Sequence, residues 1–253
     1  MASQKDSLEL CEISAGYGKR AVTHDINFSV GPGELLVLAG PNGSGKTSIL
    51  KTAAGLLPPF RGRVMIKGIE LNRLKPRERA AHTAFLFQNR DSPWPFTVRE
   101  TVAQGRYVRL GWLGAARTID LDAVDSALEK AGLLNLSDRL ITELSGGELQ
   151  RVYIARSIAQ GASFLLLDEP VNNLDPKFSY MILNLITELA REGRGIILSL
   201  HDLRLASRFA SRILLLSLSG SILAMGSPEE VLTVENLGML YDIPTGLAGD
   251  LIL

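Results

Sequence analysis

The chain has 253 residues, of which 46% are hydrophobic and 21% are charged, and its 27 basic side chains balance its 27 acidic ones. This length fits one large domain, or a domain with an inserted subdomain, and the zero formal charge argues against a dedicated nucleic-acid binder. The single cysteine, Cys11, excludes an intramolecular disulfide and a zinc site built from several cysteines. The first residues lack the basic start and apolar run of a signal peptide, and the most apolar stretch, 213–225, is too short to span a bilayer. We therefore expect a cytoplasmic chain whose contact with a membrane comes through a partner.

The first third of the chain predicts strands that lead into a glycine-rich loop. Apolar residues and glycine turns over 8–38 indicate strands, and the last of them, 35–38, is a continuous apolar run of the kind buried in a parallel sheet. The residues after the loop, 47–54, have the pattern of a helix. Further strands are predicted at 62–71 and 84–87, with a short helix between them.

The middle of the chain has a helical pattern. Residues 89–96 contain two prolines and indicate a loop. From Val98 to about Gln160, apolar side chains recur at helical spacing and no strand pattern interrupts them. We expect Leu121, Val124, Leu128 and Ala131 to form one buried helix face. This stretch is therefore predicted to be a helical subdomain inserted into an α/β core.

The last third of the chain returns to alternating strands and helices. Buried strands are predicted at 164–167 and 196–200, with a helix at 178–191 between them. Residues 213–216 and 222–225 predict a hairpin, and the remainder has a helical pattern. The predicted division is a catalytic core with a β subdomain formed by 1–88 and 161–230, the helical subdomain 89–160, and a C-terminal tail at 231–253.

The strongest motif is Gly-Pro-Asn-Gly-Ser-Gly-Lys-Thr, which has the pattern of a phosphate-binding loop. It follows a buried strand and opens a helix, so that backbone amides and the helix dipole face the same anion. Lys46 is expected to reach the β- and γ-phosphates of a nucleotide, and the hydroxyl of Thr47 to ligate Mg²⁺. The alternative is a chance match, which the strand–loop–helix context disfavours. The residues predicted to bind the nucleotide here are Gly40, Pro41, Asn42, Gly43, Ser44, Gly45, Lys46, Thr47 and Ser48.

Two consecutive acids, Asp168 and Glu169, follow the apolar strand 164–167. Nucleotide hydrolysis needs carboxylates at such an edge, and we expect Asp168 to hold Mg²⁺ and Glu169 to act as general base for the attacking water. The alternative is a solvated turn after a strand, which the upstream phosphate loop disfavours. The chain has no Asn-Lys-x-Asp segment of the kind that recognises guanine, so the expected nucleotide is ATP.

A serine followed by two glycines opens another predicted helix, as Ser145-Gly146-Gly147-Glu148. The exposed amides of a helix start could bind a second anion. Taken alone, however, this segment indicates a plain helix cap.

Together the three motifs resemble the ABC ATPase family, and the resemblance covers essentially the whole chain. It implies an α/β fold with a P-loop NTPase (RecA-like) core, an N-terminal antiparallel β subdomain and an inserted helical subdomain. It also implies a head-to-tail dimer, expected to be a homodimer, in which Ser145, Gly146, Gly147 and Glu148 complete the nucleotide site of the partner.

Four further positions are similar to functional residues of that family. Gln88 resembles the glutamine that senses Mg²⁺ or the γ-phosphate, and it is expected to act in both catalysis and metal binding. His201 resembles the histidine that positions the γ-phosphate, Tyr17 the aromatic residue that stacks on adenine, and Asp175 part of the segment that crosses the dimer interface. Taken alone, a histidine after a strand such as His201 indicates a hydrogen-bonded structural residue, and the alternative for Tyr17 is a surface tyrosine at the end of a strand. Val171 departs from the threonine of many relatives without removing a catalytic group, and the other two histidines are interpreted as structural.

The organisation of the chain narrows its expected role. A single cassette, with no room for coiled-coil arms and no fused membrane span, is typical of importers that have separate membrane subunits. Residues 97–107 and 226–241 are similar to the ATPases of iron-chelate, haem and cobalamin importers. The expected cofactors are ATP and Mg²⁺. The expected partners are a second cassette, polytopic permease subunits that contact 93–96 and place the chain on the inner face of the membrane, and indirectly a substrate-binding protein.

Two other functions stay open at the level of sequence. One is a soluble ABC ATPase of iron–sulfur cluster assembly or of another remodelling process. The other is a nucleotide-binding regulator without turnover, which the presence of both Asp168 and Glu169 disfavours.

Overall fold

A six-stranded sheet lies at the centre of the fold, with strand order β10-β9-β3-β8-β7-β6. The computed structural model describes residues 6–87, 94–109, 118–244 and 248, without the side chains of 118 and 119. Five strands run parallel and β10 pairs antiparallel with β9, which confirms the predicted hairpin. The strands are β3 (Leu35–Ala39), β6 (Thr83–Leu86), β7 (Phe164–Leu167), β8 (Gly195–Ser199), β9 (Arg212–Leu216) and β10 (Ile222–Gly226).

The central strands of this sheet are buried on both faces, as their continuous apolar sequences predict. Every residue of β3, β7 and β8 is buried. In β3, Leu35 and Val37 pack into one apolar cluster while Leu36 and Leu38 pack into another, because successive side chains point to opposite faces of a strand. The carboxyl ends of the parallel strands therefore meet at one edge, where an α/β sheet binds its ligands.

A second sheet of four strands, in the order β2-β1-β4-β5, covers one of these faces. β1 and β2 are 10 and 11 residues long and pair antiparallel from Leu8–Val30 to Tyr17–Arg20, so they are longer than the short strands expected from the glycine turns. Tyr17 is thereby placed at the end of β1. The bounds are β1 (Leu8–Tyr17), β2 (Arg20–Val30), β4 (Arg61–Ile66) and β5 (Ile69–Glu70).

The middle of the chain is helical, as expected, and holds no strand among its described residues apart from one isolated bridge between Thr97 and Leu140. Val124 is buried on the predicted face, but Leu121 is 53% exposed, so its assignment to that face was wrong. Asp120 faces inward instead, because its carboxylate forms a 2.8 Å ion pair with the guanidinium of the largely buried Arg106. The principal helices here are α3 (Val98–Ala103), α4 (Thr118–Lys130) and α5 (Gly146–Gln160).

Helices also follow the strands of the core and fill the C-terminal part. One of them, Leu203–Phe209, had not been predicted; Asp202 caps it by accepting the amides of Arg204 and Leu205. Among the residues described above, none of the helices combines the length and the apolar character that crossing a membrane needs. The division of the chain into core, helical subdomain and tail stays a prediction. The remaining helices are α1 (Lys46–Ala53), α2 (Pro76–His82), α6 (Pro176–Arg191), α7 (Leu203–Phe209), α8 (Pro228–Val231) and α9 (Val234–Tyr241).

Candidate functional site

The glycine-rich loop connects β3 to α1 at the carboxyl edge of the central sheet, where its sequence predicts it. Gly40 has φ 147°, and a Cβ there would lie 2.3 Å from the carbonyl oxygen of Leu216, so only glycine fits this turn. The helix begins at Lys46, and its first amides have no partner within the helix. The loop is thus shaped to present backbone N–H groups to an anion.

Lys46 is almost completely buried under this loop, with 5% of its surface exposed. Its ammonium donates to the carbonyl oxygens of Gly40 at 2.8 Å and Pro41 at 2.9 Å. Burial lowers the pKa of Lys46 below its usual value, while the nearby carboxylates of Glu169 and Asp168 oppose that shift. A phosphate group in the loop would relieve the cost of burying this charge.

A hydroxyl and a carboxylate meet beside the loop. Thr47 Oγ1 donates to Asp168 Oδ1 at 3.1 Å, and Asp168 is 2% exposed at the end of β7. These oxygen atoms fit Mg²⁺, which binds proteins through one or two carboxylates and takes its other ligands from water and phosphate. The described residues contain no cluster of three or more His, Cys, Asp or Glu that would make a denser metal site. Gln88, the third predicted metal ligand, lies outside the described residues.

The side chain of Glu169 is held at both carboxylate oxygens. Nε2 of His201 contacts Oε1, and Nδ2 of Asn172 donates to Oε2 at 2.7 Å. The backbone of Glu169 has φ 47°, a left-handed conformation that is uncommon for residues other than glycine. The structure therefore brings the predicted base and the predicted histidine together, and a carboxylate in this setting can accept a proton from water.

Two residues of this cluster were missed at the sequence level. Ser199, fully buried at the end of β8, donates to Asp168 Oδ1 at 2.9 Å and accepts the amide of Glu169 at 2.8 Å. Asn172 also carries no motif that marks it. The sequence did offer one signal for each residue. Ser199 is a polar residue at the end of an apolar strand, and Asn172 has an amide side chain three residues after an acid.

A cleft of about 720 Å³ extends from the loop along β2. Tyr17 stands at its wall, 52% exposed, with the ammonium of Lys51 5.7 Å from its ring centroid. Its ring is thus available for stacking on a planar ligand. His24, interpreted as structural from sequence, also faces this cleft. The lining residues are Tyr17, Arg20, Ala21, Val22, His24, Asn42, Gly43, Gly45, Lys46, Thr47, Ser48, Glu169, Leu218 and Ser219.

Ser145 caps α5, as the plain alternative predicts. Its hydroxyl accepts the amide of Glu148 at 3.4 Å and donates to Glu148 Oε2 at 2.7 Å, and hydrogen bonds from the Ser145 side chain and backbone lower the pKa of Glu148. Gly146, Gly147 and Asp175 join Ser145 around a shallow cleft of about 290 Å³, which shares no lining residue with the larger cleft. Within one chain, these predicted nucleotide contacts are therefore separate from the phosphate loop.

Comparisons with known proteins agree with this geometry. Residues 23–172 match the family described as ABC transporter. The chain is 35% identical over 246 residues to the iron(3+)-hydroxamate import ATP-binding protein FhuC of Bacillus subtilis (strain 168), covering 97% of this chain and 91% of the relative. It is 40% identical over 243 residues to the hemin import ATP-binding protein HmuV of Roseobacter denitrificans, covering 93% and 90%.

A solved structure gives the same result for the fold. The dimeric structure of MJ0796, a bacterial ABC transporter cassette, superposes with a TM-score of 0.76 at 28% identity and covers 87% of this chain and 98% of that one. The predicted fold class, with its α/β core and antiparallel β sheet, is confirmed by this likeness. The chain therefore belongs to the ABC transporter family and is one of its ATP-binding, ATP-hydrolysing subunits.

Proposed function

We propose that this chain hydrolyses ATP to drive import of an iron chelate or haem through permease subunits in the membrane. The observation that carries the proposal is the junction of the phosphate loop with the two acids, where Thr47 contacts Asp168 and Glu169 contacts His201. The names of the relatives, which are import ATP-binding proteins for iron(3+)-hydroxamate and hemin, support the class of cargo. These names favour transport over a role in iron–sulfur cluster assembly, whereas import of cobalamin stays a prediction.

In this proposal, different residues of the chain bind the phosphates, hold the metal ion and activate the attacking water. The loop amides and Lys46 would bind the β- and γ-phosphates, while Thr47 and Asp168 would hold Mg²⁺. When bound, the metal ion would supply positive charge beside the phosphate oxygens. Glu169 accepts a proton from the attacking water, and His201 orients Glu169 and the γ-phosphate. Gln88 is proposed to add a ligand to the metal ion.

The complete site is proposed to need a second copy of the chain. Ser145 and Gly147 lie at a helix start that does not line the chain's own nucleotide cleft, so they are free to face the nucleotide of a partner. The dimeric structure of the related cassette supports this arrangement. Asp175, beside Ser145 in the same shallow cleft, would lie at that interface. A homodimer with two such sites is proposed.

The permease is proposed to dock on exposed aromatic side chains that precede α3. Trp94 is 67% exposed and Phe96 39% exposed. The backbone between them is held in place, since Phe96 donates to the carbonyl of Trp94 and accepts the amide of Ile141, both at 2.9 Å. A fixed backbone that presents large aromatic groups suits an interface anchor. The cassette would thereby sit at the membrane through the permease, which in turn would receive cargo from a substrate-binding protein.

Transport in liposomes tests the proposal. The chain would be reconstituted with the permease subunits that co-purify with it and with their substrate-binding protein, and uptake of a radiolabelled ferric hydroxamate and of haem would be measured with MgATP inside. We expect uptake of one of these cargoes, none with Lys46→Ala, and ATP hydrolysis without full uptake for Trp94→Ala because its coupling contact is lost. ATP turnover with no uptake of either cargo by the wild-type complex would contradict the proposed role.

A further inference from the structure

The turn between β9 and β10 is closed by several hydrogen bonds and contributes Leu218 and Ser219 to the lining of the large cleft. Ser217 closes the turn through three hydrogen bonds: its amide donates to Ser221 O at 3.0 Å, its hydroxyl donates to the same oxygen at 3.1 Å, and that hydroxyl accepts the amide of Ser221 at 3.3 Å. Gly220 adds a donation to Ser217 O at 2.9 Å. The residue at the tip, Leu218, is therefore held in a defined place.

This turn is also locked against the elements that build the cleft. The carbonyl oxygen of Gly220 accepts the amide of His24 on β2 at 2.8 Å. Gly220 has φ 77°, and a Cβ there would lie 1.8 Å from the carbonyl oxygen of Val22, so the approach requires glycine. At the other end of the turn, Leu216 touches the phosphate loop at Gly40. These contacts connect both ends of the turn to β2 and to the glycine-rich loop.

Leu218 is 68% exposed and lines the cleft together with Tyr17. A single exposed leucine on an open surface needs no explanation, but this one faces the space in front of the phosphate loop. Lys46 and Thr47 belong to the loop that lines the cleft, and Tyr17 and Leu218 add apolar surface to the same lining. A nucleotide whose phosphates occupied the loop would have its base in the remaining part of the cleft.

We propose that Leu218 forms a second apolar contact for the adenine base, in addition to the stacking surface of Tyr17. The inference rests on the nucleotide site proposed above and extends it to a residue that no motif marks. Because the side chain is exposed, replacing it should leave the fold intact and weaken only ligands that carry a base. Removing the apolar contact of one leucine should weaken ADP binding by about five- to tenfold.

Calorimetry with MgADP and with pyrophosphate separates the contribution of the base to binding from that of the phosphates. Neither ligand has a γ-phosphate, so neither should drive the proposed dimer formation. We expect Leu218→Ser to weaken MgADP about five- to tenfold and to leave pyrophosphate binding unchanged, whereas Lys46→Ala weakens both ligands. Leu121→Ser is the matched control, since Leu121 is 53% exposed on α4 and does not line the cleft. Combining Leu218→Ser with Tyr17→Ser should give less than the product of the single effects, because both residues contact one base.

The possible failures are distinguishable. If Leu218→Ser binds MgADP like the wild type while Lys46→Ala does not, the nucleotide site stands and the base contact is wrong. Equal weakening of MgADP and pyrophosphate would assign Leu218 to support of the loop instead. If Leu218→Ser changes only ATP-driven dimer formation and leaves MgADP binding unchanged, Leu218 contacts a second copy of the chain and not the base. If wild-type protein binds neither ligand, the proposed function itself fails.

Discussion

Replacing Ser199 with alanine should destabilise the protein by an amount that its hydrogen bonds predict. The hydroxyl donates to Asp168 Oδ1 at 2.9 Å and accepts the amide of Glu169 at 2.8 Å, in a fully buried position. A hydrogen bond to a charged group contributes about 1.5–3 kcal/mol, and one between neutral groups about 1 kcal/mol. We therefore expect Ser199→Ala to lower the free energy of unfolding by about 2.5–4 kcal/mol.

The same substitution should slow ATP hydrolysis. Asp168 Oδ1 would keep the hydroxyl of Thr47 but lose that of Ser199, and the left-handed backbone of Glu169 would lose the acceptor that anchors its amide. Both acids would then be less well ordered at the positions proposed to bind the metal ion and the attacking water. A loss of about 1.4 kcal/mol of transition-state stabilisation corresponds to a tenfold lower kcat, and we expect at least that.

Urea unfolding followed by circular dichroism and phosphate release at saturating MgATP measure the two effects. Ser157→Ala is the matched control, since Ser157 is 4% exposed and donates to the carbonyl of Tyr153 within α5 at 3.0 Å. That control should lose about 1 kcal/mol of stability and keep its kcat. If the kcat of Ser199→Ala is no lower than that of the wild type or of the Ser157→Ala control, the role of Ser199 in ordering the acids is refuted.

Two further substitutions test the proposed catalytic cycle. Glu169→Gln should lower turnover by about 100-fold or more, because an amide cannot take the proton from water, and size-exclusion chromatography with MgATP should show a trapped dimer. A Glu169→Gln monomer with ordinary turnover would contradict the general base. Ser145→Arg should keep its affinity for ATP in calorimetry and stop phosphate release, because the new side chain would enter the neighbour's site, and normal turnover would count against a shared site.

Local sequence was enough to predict the geometry of the glycine-rich loop and the position of the two acids. The loop depends on glycine conformations that few other residues adopt, as at Gly40, and on a helix start that follows directly. Asp168 and Glu169 were recognisable because an apolar strand must be buried and its next residues must emerge at the edge of the sheet. The helix cap at Ser145 was likewise predictable, since a capping box is a pattern of four adjacent residues.

Only the tertiary structure decided which distant residues meet these motifs. Ser199 reaches Asp168 because β8 pairs in parallel with β7, and no local pattern specifies which strands are neighbours. Leu218 reaches the cleft because its hairpin docks on β2, and Asp120 displaces Leu121 from the inward face because Arg106 lies opposite. Short-range patterns determine backbone geometry, whereas strand order and long-range packing depend on the whole chain folding around one core.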